Sequence, residues 1–388
     1  MRLSTRPRIG SERWITTNFM PFHPDCDPND FKDFMDLTTW DSYPVTGWDR
    51  CRSPMTVPSG ARAVISRSAG GDSASAPARP VDAIRSACDP APLLFVDQEG
   101  GRVDRIGPLL GLAFPSASEL AEKGMHRVHE GAWLMGRAAR MLGFDVDFAP
   151  CLDLSQPGTG AIVLAGRCYG FHAEDVVVAG SVFLHGLARA GVASCVKHFP
   201  GLGRGPVDSH GELPVVDAHD VDLMVTDVAP FTRLARDSDG VMVGHAAYPG
   251  FTGDETPASL SPRIHAILRE RIGWGGVVYS DDLGMGALGS LCLSDRVAAA
   301  ARAGCDVLVV SDGLAEANVA ARRLEAEGLS ESPDALARVA ALRRRSADLP
   351  RTRFGPEAWD ALRAEVEAWL EELARPRVPR DPEAGFPF

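Results

Sequence analysis

An apolar run that ends in two adjacent carboxylates stands out in this 388-residue chain: Gly275-Gly-Val-Val-Tyr-Ser-Asp-Asp-Leu-Gly-Met285. Successive side chains of a strand point to opposite sides, so only one of Asp281 and Asp282 can face a common axis. A carboxylate held there can attack an electrophilic carbon, such as an anomeric centre, and form a covalent intermediate. Asp is equally favoured where a helix begins after a strand. The sequence leaves both roles open, one Asp reacting while its neighbour caps.

A second segment, Lys197-His-Phe-Pro-Gly-Leu-Gly-Arg-Gly-Pro-Val-Asp-Ser-His210, ends a strand with two nitrogen donors. A Gly- and Pro-rich loop then delivers Asp208 and His210. Residues i and i+2 of an extended segment share a face, so Asp208 can bond one imidazole nitrogen of His210. That fixes the tautomer and raises the basicity of the other nitrogen. Such a histidine can protonate a leaving oxygen and later take a proton from water. The glycines would let the loop close and reopen. The alternative is a surface loop with an Asx-turn. Ser209 sits between its would-be partners and points away from both, which argues against a serine nucleophile.

A third cluster, Asp97-Gln-Glu-Gly-Gly-Arg-Val-Asp-Arg105, mixes carboxylates with guanidinium groups after a strand. Asp97 could accept two hydroxyls and an Arg could clamp another; solvated salt bridges are the alternative. Arg167 and His245 are single residues that serve structure as readily as binding. His198, Asp208, His210, His245 and Asp281 offer enough donors for a zinc or two-metal site. No H-x-H or H-E-x-x-H pair occurs, however, and Lys197 brings positive charge to the same mouth, so no metal and no cofactor are expected.

These residues need elements to hold them at one place. From residue 93 onward short apolar runs alternate with longer amphipathic stretches. The runs are Leu93–Val96, Val146–Ala149, Val192–Val196, Val241–Val243, Val277–Tyr279 and Val307–Val310, and most end in a residue able to do chemistry. Gly131–Leu142, Val176–Ala190 and Asp295–Ala303 read as intervening helices. Buried parallel strands alternating with helices are βαβ units, and six of them predict an α/β fold, a TIM-like (β/α) barrel with its site at the strand C-termini. An open doubly wound sheet would place a glycine-rich phosphate loop after its first strand; Gly201-Leu-Gly-Arg-Gly205 has neither the spacing nor a following helix.

Composition sets bounds. The chain is 45% hydrophobic and 24% charged, as globular proteins are, and its net charge of −12 argues against a general nucleic-acid partner. No run of 18 apolar residues exists, so no transmembrane helix is expected. The basic start MRLSTRPRIG lacks an apolar continuation, so no secretory signal is expected. The eight cysteines are scattered without a C-x-x-C pair, which predicts buried free thiols in a reducing, cytoplasmic setting.

Taken together, VDQEGGRVDR (96–105), FDVDFAPCLDL (144–154), GRCYG (166–170), KHFPG…DSH (197–210) and GVVYSDDLGM (276–285) resemble glycoside hydrolase family 3. They are most similar to its single-domain bacterial β-N-acetylhexosaminidases of cell-wall recycling. The resemblance runs over roughly residues 91 to 345. It implies a retaining exo-β-N-acetylglucosaminidase acting on peptidoglycan-derived or similar glycosides. Asp281 would be the nucleophile, and His210 the acid/base with Asp208 as its partner. Asp97, Arg105, Arg167, Lys197 and His198 would grip the sugar hydroxyls, and His245 is counted with them. The implied partner is a small saccharide, with no nucleic acid and no membrane, on a monomer or weak oligomer. A phosphorylase with the same covalent step, another β-glycosidase, and a non-catalytic sugar-binding remnant are the alternatives.

Two departures accompany the resemblance. Leu202 stands where the family commonly has a second His in KHFPGHG. The family's first strand and helix leave only an echo near Ala63–Ser66, as an incomplete first βα unit with open edges. Residues 14–48 instead resemble a fragment of a family 42 β-galactosidase, through NFMPF and TTWDSYP; a fusion or disturbed reading frame would account for it. The expected organisation is an atypical segment over 1–50, a linker or weak first βα unit over 51–90, the catalytic barrel over 91–348, and a C-terminal helix (Pro356 to Ala374) with a Pro-rich tail over 349–388.

Overall fold

The computed structural model describes residues 14–17, 63–64, 91–156, 164–311, 314–330, 332–349 and 355–375. Eight parallel strands run in chain order β1 (Trp14–Thr17), β2 (Ala63–Val64), β3 (Phe95–Val96), β4 (Val146–Asp147), β5 (Ala193–Phe199), β6 (Gly240–Val243), β7 (Val277–Asp282) and β8 (Val307–Val309). Their order in the sheet is β2-β1-β8-β7-β6-β5-β4-β3. That is the cyclic order of a (β/α) barrel, with β2 and β3 at the two ends of the hydrogen-bonded series. All six strands expected from the apolar runs are present.

The N-terminal expectation is corrected. Ala63–Val64 is second in the series, and Trp14–Thr17 comes first, pairing Trp14 with Val307 and Thr16 with Val309 of β8. It was read as irregular because its neighbours carry no apolar periodicity. The rest of the proposed linker, the rest of the galactosidase-like stretch, the start MRLSTRPRIG and the Pro-rich tail lie outside the described residues, as do Cys26, Cys51 and Cys88.

The helices that matter here are α1 (Met125–Leu142), α2 (Ala173–Ala190), α3 (Leu293–Ala303), α4 (Leu314–Ala326), α5 (Pro333–Asp348) and α6 (Pro356–Ala374). Helix α2 shows why the sequence makes them. Glu174 and Asp175 sit in its first turn, Arg189 in its last, and Gly191 ends it in the left-handed conformation. No helix among the described residues is long and apolar enough to cross a membrane.

The period-2 alternation of the strands divides the core in two. Phe95, Val146, Phe148, Ala193, Cys195, Val277, Tyr279, Val307 and Val309 point inward and form one cluster. Its centre is aromatic: the Phe95 and Phe148 rings stack at 5.2 Å, and Tyr279 meets Phe148 edge-on at 5.2 Å. The outward residues, Leu94, Val96, Val196, Val241, Val278 and Leu308 among them, join the apolar faces of the helices in the larger cluster. Val339 and Leu342 of α5 belong to the inner cluster, so this helix closes the floor of the barrel.

Candidate active site

The C-terminal end of β7 separates the two adjacent carboxylates. Asp282 accepts hydrogen bonds from the Gly284 amide (3.0 Å), the Ser311 amide (3.0 Å) and the Ser311 hydroxyl. It therefore ties β7 to the end of β8. Burial, and the charge of Asp281 beside it, still push its carboxyl above the usual range despite those bonds. Asp281 accepts the amide of Asp282 (2.8 Å). Burial works to raise its pKa, but the charges of His198, His245 and His210 and that amide outweigh burial and hold it below the usual carboxylate range. Asp281 is thus an ionised, half-buried carboxylate ringed by imidazoles.

A chain of alternating charge lies alongside. Lys197 is buried and bonds Asp97 (2.7 Å) and Glu99 (2.6 Å). Glu99 accepts a bidentate pair from the guanidinium of Arg167, both bonds at 2.8 Å. Arg167 comes within 3.5 Å of His198 Nε2, and His198 Nδ1 donates to Asp153 at 2.7 Å. Burial alone would raise Glu99, yet Arg167 and Lys197 drive its carboxyl far below its ordinary value. Burial would lower His198, yet the Asp153 carboxylate raises it to about 10, so it is an imidazolium at neutral pH. Asp147, buried on β4, is pushed the other way by burial, against the lowering effect of the Gln98 amide and Lys197.

The loop after β5 brings the last group. His210 Nδ1 lies 2.7 Å from Asp208 Oδ1, the same oxygen that accepts the His210 amide at 2.8 Å. Both side chains are 46% exposed, so this pair is more open to solvent than the half-buried Asp281. The loop is docked onto the turn after β7: the Gly286 amide donates to the His210 carbonyl (2.9 Å) and the Ala287 amide to that of Ser209 (3.1 Å). A Cβ at Gly286 would stand 2.6 Å from the His210 oxygen, so only glycine allows this approach. At the loop's start a Cβ at Gly203 would stand 2.1 Å from the Leu154 carbonyl oxygen. These contacts place His210 where its charge is felt by Asp281.

The structure thus brings Asp97, Arg167, Lys197, His198, Asp208, His210, His245 and Asp281 to one end of the barrel. His245 is engaged on both sides: Nε2 donates to the Asp282 carbonyl (2.8 Å) and Nδ1 meets the Ser259 hydroxyl (2.7 Å). Burial lowers its pKa, and its two hydrogen bonds buttress the strand end that carries Asp281. Arg105 gives its backbone amide to Gln98 Oε1 (2.9 Å), and its guanidinium makes no ion pair among the described residues. Asp104 and Gln98 knot that loop, Asp104 accepting from Gln98, Gly107 and Phe114. Leu202 has a buried side chain and gives its amide to Asp153 (2.6 Å), a contact that does not depend on the side chain there.

Glu99 and Asp153 were missed by sequence reasoning. The signal was available: each is a carboxylate at a strand end among residues that must be buried, and a buried carboxylate needs partners. The metal set considered from sequence does not converge either. Among the described residues one group with metal-ligand geometry occurs, Cys151, Asp153 and His198, sharing only His198 with that set.

One end of the barrel thus gathers Asp281 at a strand end, the His210 imidazole on a Gly- and Pro-rich loop, and the Lys197–Glu99–Arg167 chain, the end at which such barrels carry their sites. The chain belongs to glycosyl hydrolase family 3: the model of that family's N-terminal domain matches residues 79–342. It is 40% identical over 231 residues to Beta-hexosaminidase LpqI of Mycobacterium tuberculosis, a match covering 56% of this chain and 58% of that one. It is 36% identical over 264 residues to Beta-hexosaminidase of Methylococcus capsulatus, covering 66% and 77%. The chain therefore spans a little over half the length of LpqI. The solved structure of M. tuberculosis LpqI superposes with TM-score 0.62 at 31% identity, covering 72% of this chain and 84% of that one. Native NagZ from Neisseria gonorrhoeae, at 23% identity and TM-score 0.67 over 96% of this chain, shares the fold.

Proposed function

We propose that the protein is a retaining exo-β-N-acetylglucosaminidase that works through a glycosyl-Asp281 intermediate. The observation that carries this reading is the ionised, half-buried Asp281 within charge reach of His198 and of the His210–Asp208 pair. Asp281 attacks the anomeric carbon as the bond to the leaving oxygen breaks. His210, oriented by Asp208 through Nδ1, gives that oxygen the proton on Nε2. A water then loses a proton to His210, attacks the same carbon and frees Asp281. Lys197, Arg167 and His198 present fixed positive charge and donors to sugar hydroxyls, and Asp97 accepts from them. The names of the relatives support a hexosaminide over a glucoside. Peptidoglycan-derived saccharides as substrates belong to the same proposal. So does a cytoplasmic location, which the buried free thiols Cys151, Cys168, Cys195 and Cys305 fit.

Paired nitrophenyl β-N-acetylglucosaminide and β-glucoside test the reading. Nitrophenol release from the first and little from the second is expected, with the free sugar formed whether or not phosphate is present. Release that requires phosphate would make the enzyme a phosphorylase, and saccharide binding without release would make it a sugar-binding remnant.

A further inference from the structure

On the Nδ1 side of His198, a residue the glycosidase reading uses, lie Cys151 and Asp153, and that reading gives Cys151 no task. Cys151 Sγ is 3.1 Å from Asp153 Oδ2, and His198 Nδ1 is 2.7 Å from the same oxygen. The three donor atoms all lie within 4.8 Å of one another, and all three residues are buried. Orienting His198 requires only Asp153; an apolar residue at 151 would pack as well against the outer core in which Cys151 sits.

We infer that Cys151, Asp153 and His198 form a binding site for a soft divalent cation, Zn²⁺ by its ligand chemistry, on the Nδ1 side of His198. One thiolate, one imidazole nitrogen and one carboxylate oxygen are the donor types zinc takes in tetrahedral sites. With zinc–ligand lengths of about 2.0–2.3 Å the donors stand roughly 3.3–3.7 Å apart, so the trio has to open by about half an ångström to admit the ion.

Charge balance favours the exchange. Without metal the group holds a neutral thiol, a carboxylate and an imidazolium, and its net charge is zero. With metal it holds a thiolate, a carboxylate, a neutral imidazole and Zn²⁺, and its net charge is again zero. The ion takes the place of the proton shared by Nδ1 and Oδ2, and the thiol proton leaves as well. Two protons are released per Zn²⁺. The buried pocket therefore gains no net charge, which is what makes binding of a divalent ion feasible at this depth. The Arg167 guanidinium lies by Nε2, so the ion enters on the Nδ1 side.

The test uses the full-length protein, Zn²⁺ and Co²⁺. Equilibrium dialysis is expected to give one Zn²⁺ per chain with release of at least two protons in weak buffer. Co²⁺ in its place is expected to show a thiolate charge-transfer band in the near ultraviolet. Cys151→Val, matched in volume and checked by its melting temperature, is expected to lose the band and at least tenfold in Zn²⁺ affinity. His210→Gln is expected to keep both. A Co²⁺ spectrum without the thiolate band in the wild type would overturn the inference without any variant. So would Zn²⁺ binding that survives Cys151→Val but is lost in His210→Gln, which would put the ion on the exposed Asp208–His210 pair.

Discussion

Both ends of this barrel are rimmed with aspartates, and the two rims use them in opposite ways. At the floor, Asp145, Asp239 and Asp306 each accept the backbone amide that opens a neighbouring strand: Leu94 (2.9 Å), Ser194 (3.0 Å) and Val278 (2.9 Å). Each then takes an arginine. Arg140 bonds Asp145 (3.1 Å), Arg345 bonds Asp239, and Arg269 (2.8 Å) and Arg338 (2.7 Å) share Asp306. Two of those arginines come from α5, so the floor helix is fastened by the same carboxylates that stand just before β4, β6 and β8. At the mouth, Asp281 has one amide and a ring of histidines, and Lys197 and Arg167 are held by Asp97 and Glu99 with pocket-facing neighbours. The floor spends its carboxylates on geometry; the mouth keeps one ionised and available. The division is what the strand-end rule for such barrels predicts.

A crossed pair of substitutions breaks that comparison most severely. Asp281→Asn is expected to lower turnover by at least about a thousandfold, as removal of a covalent nucleophile does, with the melting temperature nearly unchanged. Asp306→Ala is expected to cost roughly 3–5 kcal/mol of stability, because Arg269 and Arg338 lose their shared buried partner. Turnover per folded molecule should then stay close to wild type. Melting curves and kinetics on both variants check this, and a mouth variant that melts early or a floor variant that folds well but fails to turn over would erase the distinction.

His210→Gln sharpens the account of the mouth. With poor leaving groups, which need the proton, a loss of about 10²–10⁴ in turnover is expected, and with nitrophenol a much smaller one. Equal losses on both would remove His210 from the acid role.

The smallest effect is a pH dependence. His198 has its pKa raised by Asp153 from 6.5 to about 10. A group whose folded pKa lies above its unfolded one stabilises fully below the unfolded value and loses that stabilisation as pH rises through the folded one. The melting temperature should therefore fall progressively as pH rises from about 6.5 to about 10, and fall less in Asp153→Asn, which starts lower. A wild type whose alkaline fall matches that of Asp153→Asn would show that this pair carries no linked stability.

Much of this was legible in the sequence, for identifiable reasons. The six strands from Phe95 to Val309 were visible because strands buried on both faces are continuous apolar runs, and their reactive ends followed from the barrel rule. The Asp208–His210 contact followed from i, i+2 spacing. What the sequence left open at 281 and 282 was a question of which carboxylate finds Ser311, a residue 29 positions away, and Gly284. Glu99 and Asp153 were passed over because their partners, Arg167, Lys197 and His198, come from other βα units. Trp14–Thr17 was unreadable as a strand because its pairing partner is β8, almost 300 residues on, and nothing local marks it.

The central claim is that Asp281 becomes covalently bonded to the sugar. A 5-fluoro N-acetylglucosaminyl fluoride, whose electron-poor ring slows release of the intermediate, allows the bond to be trapped and read by peptide mass spectrometry. The account predicts one N-acetylhexosaminyl-type adduct per chain, on the peptide holding Val277–Asp282 and fragmenting to Asp281. Turnover of the reagent with no adduct, or an adduct on Asp282 or Asp97, would contradict it.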